Sequence, residues 1–123
     1  MTFGFVRHPD AATWAAAAPF LQAALDHADD GTTLAGVKSD IDDGLAQLWI
    51  DAPLTGACVT RRCGDTLEVW LMGGTVAHLP LLDAIMDAAR RDGCTRMTLD
   101  GRPGWQRLLP GWRVRTVTLE RML

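Results

Sequence analysis

The spacing of apolar residues changes more than once along the chain, and each change marks a new element. Residues 3–7, Phe-Gly-Phe-Val-Arg, form a short apolar run closed by His8 and Pro9, which predicts a brief strand. Asp10 stands ahead of Ala11, Ala12, Thr13 and Trp14 as an N-cap. Phe20, Leu21, Ala24 and Leu25 then recur at helical spacing, so a helix is expected to run to near Asp29. Pro19 removes a backbone donor inside that helix and predicts a kink or a restart. After the Asp30-Gly31 stop, Thr32 or Thr33 caps a shorter helix carrying Leu34, Val37 and Ile41, and Gly44 ends it.

From Leu45 the pattern becomes strand-like. Residues 45–50, 56–62 and 66–72 predict three strands of an antiparallel meander, with turns at 51–54 and at Gly64-Asp65. Gly73-Gly74 leads out of the third. Residues 79–91 place Leu82, Ile85, Met86 and Ala89 on one helical face, and Gly93 stops the helix. Residues 96–100 are a further strand, and strand, helix, strand at this spacing predicts a right-handed crossover with parallel strands over 67–100. Residues 101–110 read as a tight turn and a short helix started by Pro103. Residues 113–121 alternate strictly, with Val114, Thr116, Thr118 and Glu120 on one face, and predict a last strand. The expected fold is a mixed α/β domain over residues 1–123. Its sheet is mainly antiparallel around a parallel βαβ unit, with helices on both faces.

Composition narrows the function. A chain of 123 residues, 48% hydrophobic, supports one core without a disulfide or metal staple. No apolar run approaches the roughly 18 residues of a membrane span, and residues 1–7 lack a secretory pattern, so a cytoplasmic location and no membrane association are expected. A net charge of −3 argues against nucleic acid as the main partner. The charge is lopsided: residues 1–51 hold eight Asp against Arg7 and Lys38, whereas residues 52–123 hold ten Arg against seven acids. Cys58, Cys63 and Cys94 do not make a zinc spacing and the three His are scattered, so no metal site is expected.

The element order resembles the GNAT acyltransferase superfamily over nearly the whole chain. Leu67 to Arg91 resembles its strand, cofactor loop and helix, and Gly104-Trp-Gln-Arg-Leu-Leu-Pro-Gly-Trp112 its short helix and following turn. The phrases Gln47-Leu-Trp49, Gly73-Gly74 and Gly101-Arg-Pro-Gly-Trp105 are similar to those of small GNAT-like proteins of tailed phages and prophages. The resemblance implies an acyl-CoA groove at Leu71, Gly73, Gly74, Thr75 and Val76. In the superfamily the loop reads Arg/Gln-x-x-Gly-x-Gly/Ala, so that amides at a helix N-terminus close on the pyrophosphate. Here it reads Gly73-Gly-Thr-Val-Ala-His78, without the basic residue or the spaced second glycine. The superfamily commonly uses a Tyr as general acid; this chain has none, and Leu108 and Leu109 occupy its neighbourhood.

Glu68 is the candidate base, since a desolvated Glu can take a proton near neutral pH. Arg102, Trp105 and Arg107 are of the residue types that dominate binding hot spots and are candidates for a protein partner or a phosphate. Two readings follow. One is a phage or prophage protein with the fold but no cofactor and no chemistry. It would act in the virion, in assembly or on the bacterial host, with a phage structural protein, a host protein or a further copy of itself as partner. The other is an N-acetyltransferase using acetyl-CoA through a divergent loop. The missing loop residues and missing Tyr favour the first.

Overall fold

The computed structural model describes residues 3–28, 30–51, 55–74, 78–100, 109, 111–115 and 119–122. In chain order the elements are β1 (Phe3–Val6), α1 (Ala11–Ala28), α2 (Leu34–Asp42), β2 (Gln47–Asp51), β3 (Gly56–Cys63), β4 (Thr66–Gly74), α3 (His78–Arg91) and β5 (Arg96–Leu99). The strands form one sheet in sequence order, antiparallel from β1 to β4 and parallel between β4 and β5, which α3 connects. The mixed α/β fold expected from the pattern, with its parallel crossover, is therefore present. No described helix is long and apolar enough to cross a membrane.

Alternation along the strands builds a core on each face of the sheet. Ala17, Leu21 and Leu25 of α1, with Val37 and Ile41 of α2, bury against Leu48, Ala57, Val59 and Leu71. On the opposite face Leu81, Leu82, Ile85 and Ala89 of α3 meet Cys58, Leu67, Val69 and Met72, and Leu109 closes that core. Each fully buried Leu or Ile contributes about 1.5–3 kcal/mol relative to exposure, so these rows hold the helices on the sheet.

The helix ends follow the capping chemistry. Asp10 Oδ1 accepts from the Thr13 N–H at 2.7 Å, and Thr33 Oγ1 from the Gly36 N–H at 3.1 Å. Gly93, at φ +86°, takes the left-handed turn after α3 that a side chain would strain.

Three expectations are corrected. Of the kink or restart expected at Pro19, the restart is absent, because α1 runs as one helix through it. Ala17, Leu21 and Leu25 are spaced by four and clamp both halves to the sheet, whereas Pro19 sits exposed on the solvent side. β2 begins at Gln47, with Leu45 left 65% exposed, and extends to Asp51. Asp51 is fully buried, and its carboxylate accepts from the N–H of Thr55 at 2.8 Å and of Gly56 at 3.2 Å, and from the Thr55 hydroxyl. Burial pushes this carboxyl up, but those three donors outweigh it and hold it below the usual carboxylate range. Last, the described residues of 113–121 are not in a strand. Val114 is 57% and Leu119 89% exposed. The alternation there puts Arg113, Arg115 and Arg121 on one face and Thr116, Thr118 and Glu120 on the other, so neither face is apolar enough to be drawn onto a core.

Candidate functional site

β4 carries the one discontinuity in the sheet's register. Val59 pairs with Leu71 but Thr60 pairs with Val69, which leaves Trp70 as an extra residue on β4. Side-chain parity flips across it: Leu67 and Val69 belong to the α3-side core, whereas Leu71 belongs to the α1-side core.

At the same place the parallel pair ends. β4 pairs with β5 only from Thr66↔Arg96 to Val69↔Leu99, while its other edge follows β3 as far as Gly74↔Gly56. The start of β5 is pinned, because Thr95 donates its N–H to Asp65 O at 2.8 Å and its hydroxyl to Asp65 Oδ2 at 2.7 Å. Beyond Val69, residues 70–74 of β4 present an edge with no strand beside it among the described residues. A cleft of about 420 Å³ opens here. It lies between the end of α1 (Ala24, His27, Ala28) with Asp30, Arg61 of β3, residues 68–72 of β4, and Leu99 with Asp100.

The polar wall of the cleft is a linked group of three. Arg61 Nη2 donates to Glu68 Oε1 at 2.9 Å, and the Arg61 guanidinium carbon stands 3.9 Å from the centroid of the Trp70 ring. Arg61 and Glu68 are register partners on neighbouring strands, and Trp70 follows two residues on. Asp30 adds a further carboxylate. The Thr32 hydroxyl and N–H hold its carboxyl below the usual range, and the Arg61 charge adds to this. Among the described residues the cleft is thus lined by three carboxylates, one guanidinium and one imidazole.

Glu68, singled out from sequence, lies in this cleft, but ion-paired to Arg61 instead of standing alone. Leu71 lines the cleft with its side chain in the α1-side core. Gly73 and Gly74 do not leave the strand, as the sequence suggested, but continue β4, and their smallness serves packing. A Cβ at Gly73 would lie 2.2 Å from the Phe20 carbonyl oxygen of α1, and one at Gly74 would lie 2.5 Å from Gly56 Cα. Thr75, Val76, Arg102, Trp105 and Arg107 lie outside the described residues.

The sequence reading missed Arg61, Trp70, His27, Asp30 and Asp100. The available signal was the unbroken apolar run Val69-Trp-Leu-Met72, where strict alternation would have placed a polar residue. Cys58 is fully buried, and burial pushes its thiol up, so it is an inert core residue. Among the described residues no cluster of His, Cys, Asp and Glu is placed to hold a metal ion.

No protein-family model and no curated protein matches the sequence. Solved structures do match its shape. A protein from Bacillus halodurans superposes with a TM-score of 0.71 at 10% identity, covering 100% of both chains. A probable acetyltransferase gives 0.67 at 10% identity, covering 98% of this chain and 100% of the other. A ribosomal-protein-alanine N-acetyltransferase from Brucella melitensis biovar Abortus 2308 gives 0.61 at 15% identity, covering 97% and 99%. The sheet order, the parallel crossover and these full-length superpositions together give this chain the fold of the GNAT acetyltransferases.

Proposed function

We propose that the protein is an N-acyltransferase that takes its acyl group from acetyl-CoA and delivers it to an amine in the cleft. The observation that carries this reading is the edge of β4 beyond Val69, which has no strand beside it among the described residues and opens onto the cleft at residues 70–72. A strand edge of main-chain N–H and C=O groups with no neighbouring strand among the described residues suits a donor whose own arm is a chain of amides, which can lie against it as an added strand. α3 starts four residues after Gly74, so its N-terminus lies at the end of the sheet where β4 stops, with Pro80 in its first turn donating no N–H. The names of two structural neighbours, both acetyltransferases, agree with the reading.

When bound, acetyl-CoA supplies an activated thioester. The acyl carbon forms a bond to the amine nitrogen and breaks its bond to sulfur. The amine loses a proton and the departing thiolate gains one. The proton that the amine gives up balances the one that the thiolate takes, so the products are an amide and free CoA. The chain's own residues bind and orient: the β4 edge holds the donor, and the polar wall of Arg61, Glu68 and Trp70 faces the acceptor.

Calorimetric titration with acetyl-CoA tests the proposal, with binding in the micromolar range expected. Transfer is then read by mass spectrometry of the acylated amine, because exposed Cys63 would react with thiol reagents that detect free CoA. Absence of binding removes the enzyme. What would then stand is the other reading, a phage protein with the fold alone that meets its partners through Arg102, Trp105 and Arg107.

A further inference from the structure

We infer that the Glu68 carboxylate and the Trp70 ring form a cation subsite that Arg61 fills in the resting protein. It follows that the acceptor carries a fixed positive group, separate from the amine that is acylated. The second statement rests on the acyltransferase reading; the first does not.

A carboxylate beside an aromatic face is the arrangement that recognises guanidinium and ammonium groups, one wall supplying charge and hydrogen bonds and the other a π-face. Both walls are engaged here by one internal cation, at 2.9 Å from Glu68 Oε1 and 3.9 Å from the Trp70 centroid. All three residues line the cleft, so the cation occupies the place where a ligand would sit.

The clamp is weak enough to yield. The side chains of Arg61 and Glu68 are 39% and 37% exposed, and ion pairs at that exposure contribute little to stability. A displaced Arg61 also has somewhere to go, because its charge already acts on Asp30 across the cleft. Among the described residues the remaining titratable groups lining the cleft are His27 and Asp100. Their balance with Asp30 favours an entering cation.

The subsite and the edge of β4 adjoin at Trp70, a wall of the one and the first residue of the other, so the two positive groups of the acceptor lie close together. The acceptor is therefore a primary amine joined to a guanidinium or ammonium by a short aliphatic spacer. A simple alkylamine, with one ammonium only, lacks the second group and is a poor fit.

The test uses 4-aminobutylguanidine as probe and 5-amino-1-pentanol as the matched compound with one positive group. Calorimetry is run on the wild type, Arg61→Gln, Arg61→Lys and the double variant Arg61→Gln, Glu68→Gln. Removing the internal competitor is expected to tighten the guanidine about tenfold in Arg61→Gln. Arg61→Lys keeps a cation in place and should bind as the wild type does, the double variant should lose the gain, and the aminoalcohol, with one positive group for two positions, should bind more weakly than the guanidine to the wild type and to Arg61→Gln. Arg61→Met, which keeps an aliphatic stem over Trp70, replaces Arg61→Gln if thermal melting shows that variant unfolded. Equal affinity in the wild type and in the folded charge-removed variant overturns the subsite, as does a gain that survives Glu68→Gln. Guanidine binding as expected, with no binding of acetyl-CoA, leaves the subsite standing and removes acyl transfer. Acetyl-CoA binding without the Arg61 effect does the reverse.

Discussion

Gly73→Ala tests whether the glycine pair at the end of β4 exists for packing or for a ligand. A Cβ at this position would stand 2.2 Å from the Phe20 carbonyl oxygen and 2.9 Å from its carbon, both main-chain atoms of α1. No side chain can swing aside to relieve this, so α1 must back away from β4 by about 1 Å to regain ordinary contact. That movement loosens Leu21 and Leu25, both buried in the α1-side core. Overpacking of this kind costs up to about 3 kcal/mol, and replacing Gly by Ala returns up to about 1 kcal/mol through the unfolded chain, leaving a net loss near 2 kcal/mol. In a chain of this size that lowers the melting temperature by about 8 °C. Urea unfolding followed by Trp fluorescence should show a lower midpoint with an unchanged slope, since Trp14 and Trp70 both pack against the α1-side core. A loss below about 0.5 kcal/mol, which is within the usual range of a neutral surface change, would refute the packing account. If stability held while acetyl-CoA binding fell, the glycine's role would be approach to the ligand.

Other substitutions probe the same frame. Pro19→Ala restores an N–H in the middle of α1 on its exposed side and should raise stability by at least about 1 kcal/mol, read as a higher urea midpoint; a loss would mean that the helix depends on the proline. Thr60 is fully buried, donating to Gln47 Oε1 at 2.8 Å and accepting from Trp49 Nε1 at 3.0 Å, so Thr60→Val should cost about 1–3 kcal/mol in the same assay despite its equal size. For Asp51 the sign is fixed by the depressed carboxyl: its contribution is full above the unfolded value of 3.8 and is lost as pH falls through the lower folded value. Urea midpoints between pH 6 and pH 2.5 should therefore fall less steeply at the acid end in Asp51→Asn than in the wild type, and parallel curves would show that the three donors do not set the acid limb.

The fold was legible because its signals are periodic and mutually consistent. Leu82, Ile85 and Ala89 define the α3 face at helical spacing, Asp10 and Thr33 announce their helices as N-caps, and the strands on either side of α3 leave few topologies open. Errors arose where tertiary contact overrides a local rule. Pro19 should break α1 by backbone chemistry alone, yet Ala17, Leu21 and Leu25 press both halves onto one sheet. Residues 113–121 carry an alternating pattern with no face apolar enough to use it. Gly73 reads as punctuation in the sequence, but its neighbour in space is Phe20, more than fifty positions away.

The site was harder to see because it depends on one break in period. Had β4 alternated without interruption, Leu71 would have shared the α3-side face with Leu67 and Val69. The extra residue at Trp70 turns Leu71 into the α1-side core and leaves the indole over Arg61, at the edge of the cleft. The same folding step gives meaning to the uneven charge. Asp30 comes from the acidic stretch of residues 1–51, and Arg61 from the arginine-rich remainder. They meet only because α1 lies across the sheet next to β3 and β4, where carboxylates from both stretches share one cleft with the Arg61 guanidinium. A neutral ligand would gain little from such a wall, whereas a cation can exchange places with Arg61 at small cost, since the pair it breaks is already more than a third exposed. On the acyltransferase reading, charge placed this way would select the acceptor, while the uncharged edge of β4 would leave the donor to be held by its amides.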